Sequence, residues 1–308
     1  MDIKRRTFLQ GAGAGLALSG LGAARAWAET SLTYGTMQVQ TLSDGHLVLP
    51  PDFIFGPMPQ GELVPLLAER GIDPAAPLTP ACNVTLLRDG DRVMLFDTGS
   101  GSAFQPTAGE LLDALEAAGV APDDVTHVVF THGHPDHLWG VLDDFDDPLF
   151  AEAEHMMGRA EWDYWYNPET VNTIDSGRTA FAVGARRRLE MLEDAITFFD
   201  DGDEILPGVA ARATYGHSPG HMAFELRSGS EAVMVVGDCI GNPHMAFARP
   251  GWNSGSDQDQ ETAAMTRVKL LDQLAHEQTR LIGFHLPDGG IGRAERDGDG
   301  YRFVPETA

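Results

Sequence analysis

Lysine is nearly missing from this chain: among 308 residues only Lys4 and Lys269 carry an ammonium side chain. Lys and Arg together number 21 against 46 Asp and Glu, a formal net charge of -25. A surface of that sign repels polyphosphates and has little counterion release to gain, which argues against nucleic acid and against an anionic membrane surface as partners. Cysteine is equally scarce. Cys82 and Cys239 lie far apart beside apolar, strand-like segments, so they form no disulfide scaffold and are expected as buried, unpaired thiols. Cys239 adjoins a candidate ligand, Asp238, and is a weak candidate for an extra metal ligand. The one apolar stretch near the N-terminus is short and Gly-rich, so no stable membrane insertion is expected.

That stretch has another reading. Lys4-Arg5-Arg6-Thr7-Phe8-Leu9-Gln10 is followed by Gly, Ala and Leu up to Ala24 and by small residues in Ala26-Trp27-Ala28. The pattern predicts a twin-arginine export signal over residues 1–28, cleaved after Ala28, and hence a periplasmic or exported protein. Gly11-Ala12-Gly13-Ala14-Gly15 within it is no nucleotide loop, because no strand precedes it. With 43% hydrophobic residues and no long linker, residues 29–308 are expected to form one domain.

The richest chemistry lies in Thr131-His132-Gly133-His134-Pro135-Asp136-His137, which packs three imidazoles and a carboxylate behind the apolar run Val128-Val129-Phe130. Imidazole nitrogen and carboxylate oxygen bind zinc and similar borderline cations. A strand end holds such ligands rigidly while leaving coordination positions open for water. Three further candidates follow strand-like segments: His217, Asp238 and His285.

Elsewhere, 84–87 and 92–96 flank Asp89-Gly90 as a hairpin, and Asp97-Thr98-Gly99 ends its second strand. The apolar spacing predicts a helix over 107–118, a short helix over 138–142 and mainly helix over 152–194. Strands are expected at 196–199, 209–214, 223–226, 232–236 and 281–284, with a last helix over 260–276. Strand blocks each followed by helices suggest an α/β sandwich with the helices outside two sheets.

The spacing of these blocks, with Asp97-Thr98-Gly99 upstream, resembles the metallo-β-lactamase fold superfamily over almost all of residues 29–308. Leu42-Ser43-Asp44-Gly45, Phe104 and Gly300-Tyr301-Arg302-Phe303-Val304-Pro305 are similar to the methyl parathion hydrolase group within it. The resemblance implies an αββα four-layer sandwich and two divalent metal ions, zinc by default, with manganese, cobalt or iron suited to the same ligands. It assigns His132, His134 and His217 to one metal, Asp136, His137 and His285 to the other, and Asp238 to both. A metal-bridging hydroxide would attack an ester, lactone or phosphotriester, with Asp136 or Asp238 relaying the proton. Asp97 would orient ligands by hydrogen bonds. Phe104, Trp165 and Phe181 would wall a pocket for a small-molecule substrate, and a homodimer is expected.

The remaining histidines are assigned lesser roles: His221 fixes a loop, His127 is structural, and His46, His155 and His276 are surface or half-buried residues. His244, six residues past Asp238, is a candidate for facing the pocket. Acyl-homoserine lactonases of the superfamily use a Tyr shortly after the bridging Asp, where this chain has Gly241, which counts against that substrate without excluding lactones. The rivals are a glyoxalase II-like thioesterase, whose acidic substrate needs a basic patch, and a persulfide dioxygenase with one iron. A non-catalytic exported metal-binding protein is the third.

Overall fold

The computed structural model describes residues 28–306. The export signal predicted over 1–28 lies outside them, save that Ala28 opens the first strand. The first sheet takes β1 (Ala28–Tyr34), β2 (Met37–His46), β3 (Ala81–Asp89), β4 (Arg92–Phe96), β5 (His127–Phe130), β6 (Glu154–Gly158) and β7 (Ile196–Phe199), in chain order. The second takes β8 (Glu204–Leu206), β9 (Val209–Ala213), β10 (Met222–Ser228), β11 (Glu231–Gly237), β12 (Arg280–Gly283), β13 (Ile291–Asp297) and β14 (Gly300–Pro305), again in order.

Side-chain alternation sorts each strand between two layers. Val128 and Phe130 of β5 turn outward to the helices, while Val129 turns inward to the second sheet. On β11, Val233 and Val235 face inward, and Met234 and Val236 pack on the Gln260–Glu277 helix side. Three stacked apolar layers result, helix on sheet, sheet on sheet and sheet on helix, which makes the four-layer αββα sandwich.

Strands β4 to β7 run parallel, as do β11 and β12. Parallel neighbours need crossovers, and these are the outer helices. The arrangement also brings the carboxyl ends of β4, β5, β11 and β12 to one edge of the sandwich. Asp97, the Thr131–His137 segment and Asp238 follow β4, β5 and β11 directly, and His285 follows β12 after Phe284.

Three expected elements differ. The helix read over 107–118 begins only at Leu111, because His46 N–H bonds Thr107 O and Gly109 N–H bonds Asp44 O, tying the preceding residues to β2. The stretch 152–194 is not mainly helical at its start: Glu-His-Met-Met-Gly forms β6, a central strand paired on both sides. Nothing in those five residues favours a strand, and the neighbouring parallel strands impose it. The short helix expected over 138–142 is shifted, with Pro135–Leu138 α-helical and Trp139–Val141 a 3-10 turn.

Candidate metal centre

Seven side chains from four segments converge. His132 Nε2 lies 3.0 Å from His134 Nδ1, which lies 2.9 Å from His217 Nε2. Beside this trio, His285 Nε2 approaches Asp136 Oδ2 at 3.1 Å and Asp238 Oδ2 at 3.2 Å, and His137 Nε2 approaches Asp238 Oδ1 at 3.4 Å. Asp238 Oδ2 is also 3.3 Å from His217 Nε2, so one carboxylate touches both groups. All seven residues are buried.

The donor set fits two cations. Three imidazole nitrogens facing one another have too few protons to satisfy every lone pair, and a cation at their centre would satisfy all three. His137 Nε2 and Asp238 Oδ1 are buried and make no hydrogen bond within the described residues. Such orphaned atoms are costly unless something binds them.

Charge follows the same division. Burial, then the neighbouring imidazoles, holds His132 well below its usual pKa, and burial, then His217, does so for His134, which keeps both neutral. For His137 and His285 burial acts in the same sense, but the carboxylates, Asp238 foremost, outweigh it and raise both well above the ordinary value. Burial opposes ionisation of Asp238, yet His285 and His137 hold its pKa well below the carboxylate range.

Four of the histidines are braced from behind. Asp97, at the end of β4 with φ of 70°, accepts from Thr131 N at 2.7 Å and pairs with His137 Nδ1 at 2.8 Å. A positive φ on a non-glycine residue is strained, and these bonds hold it there. His285 Nδ1 donates to Ala81 O at 2.7 Å. Two braces escaped the sequence reading: Asp257 Oδ1, 3.0 Å from His217 Nδ1, and the Gln258 amide, 3.0 Å from His134 Nε2. They sit in a loop outside any strand-end pattern, so no local signal marks them.

Glu161 carries no ligand-like signal in the sequence, where it opens the aromatic run Glu161-Trp162-Asp163-Tyr164-Trp165-Tyr166. Its buried carboxylate accepts from Gly133 N (2.8 Å), Gly220 N (2.8 Å), Ser218 Oγ (2.7 Å) and Trp165 Nε1 (2.5 Å). It thereby clamps the two histidine loops together. Gly220 is required by this contact, since a Cβ there would stand 2.1 Å from Glu161 N.

A cavity of about 450 Å³ opens over the centre, with His134, Asp136, His217, Asp238 and His285 in its lining. Its other walls are mostly apolar, including Leu47, Leu49, Phe53 and Ile54. Phe104 and Phe181 line it, their ring centroids 5.8 Å apart, and His244 does too. Trp165 does not. It is fully buried, held by Glu161 and packed edge-on to His134 at 5.6 Å, because Gly133 leaves the space its ring fills. His221 accepts from Asp238 N at 3.0 Å and pairs with Thr214 Oγ1 at 2.8 Å, a loop-fixing role. His155, expected at or near the surface, is buried on β6 and stacks on Phe130. Both cysteines are free and buried, and Cys239 Sγ donates to Val236 O at 3.0 Å.

A buried cluster of histidines and aspartates at one edge of an αββα sandwich defines a metal-binding protein of a known kind. Residues 79–277 match the family model described as Metallo-beta-lactamase superfamily, and the chain belongs to that superfamily. Among solved structures, it is similar to AidC, a dizinc quorum-quenching lactonase, with 25% identity, a TM-score of 0.85, and 92% of this chain and 99% of that one covered. The hydrolase AbOPH gives 25% identity and a TM-score of 0.84 over 91% and 98%. The metallo-beta-lactamase domain-containing protein 1 of Xenopus laevis is 41% identical over 28% of this chain, but the match spans only 30% of that protein. The N-acyl homoserine lactonase AttM of Agrobacterium fabrum is 30% identical over 38% of this chain and 41% of its own length.

Proposed function

We propose that this protein is an exported hydrolase that holds two divalent cations, zinc by preference, and cleaves a small lactone, ester or phosphotriester. The observation that carries the reading is a carboxylate, Asp238, shared by two donor groups beneath a mainly apolar cavity. Cations bound there would supply Lewis-acid activation of water and of the scissile oxygen. The chain's own residues orient and exclude. Asp97 and Asp257 set the ring directions of His137 and His217, and Phe104 and Phe181 keep water from the apolar part of the substrate. Asp136 and Asp238 line the cavity and are the carboxylates placed to accept a proton at Oδ and return it to the leaving oxygen.

Lactones and apolar esters stand first, because the walls offer area burial rather than charge. The thioesterase reading is disfavoured: of the C-terminal arginines that could form a basic patch, Arg267 pairs with buried Asp257, Arg280 with Glu306 and Arg296 with Asp272. Export through the twin-arginine route and a homodimer in solution belong to the same proposal, supported by the N-terminal sequence and by the resemblance respectively.

The test couples metal analysis to turnover. Two zinc ions per chain, hydrolysis of a panel of lactones, aryl esters and phosphotriesters, and loss of turnover on chelation are expected. A metal-free sample with full activity, or two bound ions without any turnover, would overturn the assignment.

A further inference from the structure

We propose that the loop over residues 254–259 is a brace for one metal position only, setting occupancy of the His132/His134/His217 group independently of its neighbour. The inference rests on the dinuclear reading above. Two consecutive residues of this loop reach behind two of the three histidines: Asp257 to His217 Nδ1 at 3.0 Å and Gln258 to His134 Nε2 at 3.0 Å. The histidines of the other group draw on different parts of the fold, His137 on Asp97 and His285 on the Ala81 carbonyl. Neither hydrogen-bonds to the loop.

The loop is itself held from several sides. Arg267, buried, donates to Asp257 Oδ2 at 3.1 Å and to the Trp252 carbonyl at 2.9 Å. Arg178 Nη2 donates to the Gly255 and Ser256 carbonyls at 2.6 and 2.9 Å. Tyr164 Oη donates to Gln258 Oε1 at 2.8 Å. Main-chain bonds from Gln258 N to His217 O (3.1 Å) and from Asp259 N to Gly216 O (2.9 Å) dock it on the histidine loop. A buried Arg–Asp pair is expensive to assemble and adds little stability by itself, so its place behind a ring nitrogen points to orientation. Asp257 and Gln258 are positioning residues: they act through His217 and His134.

The experiment reads zinc and cobalt rather than substrate. Metal-free wild type, Gln258→Ala, Gln258→Glu, Asp257→Asn and Asp257→Ala are titrated with Zn²⁺ against a chromophoric chelator, and Co²⁺ spectra are recorded. Gln258→Ala leaves no buried charge unpaired, which separates orientation from folding. It is expected to weaken one of two sites about 10-fold, and Asp257→Ala up to about 100-fold, with the second site unchanged. Gln258→Glu puts a carboxylate oxygen, able to accept from the His134 ring N–H, where the amide nitrogen stood, and restores binding toward wild type. Variants that bind both ions as wild type does, or weaken both equally, overturn the brace. A wild-type chain that takes up fewer than two ions overturns the dinuclear reading, and the brace with it.

Discussion

Asp97 shows how much one residue carries at this centre. Its carboxylate is buried, receives the Thr131 amide and hydroxyl, and faces the His137 ring. Replacing it with Ala leaves those groups unpaired and the ring free to turn. Zinc affinity at the Asp136/His137/Asp238/His285 position is expected to fall about 10- to 100-fold, measurable by competition titration. His155 offers a different test, remote from the ligands. Burial pulls its pKa down to about 4 from an ordinary 6.5. The unfolded chain therefore binds the proton more tightly, and stability contributed above pH 6.5 is lost as pH falls through 4. Between pH 7.5 and 5 this amounts to about 2 kcal/mol. His155→Leu should flatten the pH dependence of urea unfolding in the metal-free protein by that margin, and equal slopes would refute it.

At the scale of elements, the site depends on where strands stop. Four parallel-strand ends deliver Asp97, the Thr131–His137 segment, Asp238 and His285, and the β9–β10 connection delivers His217. The first helix after β6 ties two of these together through Glu161, with four donors on one carboxylate. Glu161→Gln puts an amide NH₂ against those donors and strands at least one of them. The cost is expected to be about 2–4 kcal/mol, taking one or two lost partners at roughly 1–3 kcal/mol each. Thermal unfolding of metal-free protein measures it. A shift below 0.5 kcal/mol, within the usual range for a surface substitution, would show that the loops hold without the clamp.

For the whole molecule, seven candidate ligands drawn from positions 132 to 285 would make bound cations crosslinks between the two sheets. Ligands that bind only the folded state stabilise it by mass action, and at 100-fold excess over Kd each contributes about 2.7 kcal/mol. Chelation should therefore lower the melting temperature by several degrees and abolish turnover together, and zinc should restore both. A melting temperature indifferent to metal would contradict the crosslink. Among the described residues no helix is long and apolar enough to cross a membrane.

The short-range features of this chain were legible because their causes are local. Three histidines and an aspartate behind an apolar run mark a ligand loop, continuous apolar runs mark β5 and β11, and Asp89-Gly90 marks a hairpin, where Gly90 takes a φ of 61°. What escaped has its cause at long range. β6 is a strand because β5 and β7 flank it, and Trp165 left the pocket wall because the space above Gly133 and a bond to Glu161 claim its ring. Asp257 and Gln258 stand 40 and 124 positions from the rings they brace, a separation that only folding closes. Residue chemistry thus determined which groups can bind a cation. Tertiary packing decided which of them face each other and what stands behind them, because hydrogen bonds and burial act over a few ångströms whatever the distance along the chain.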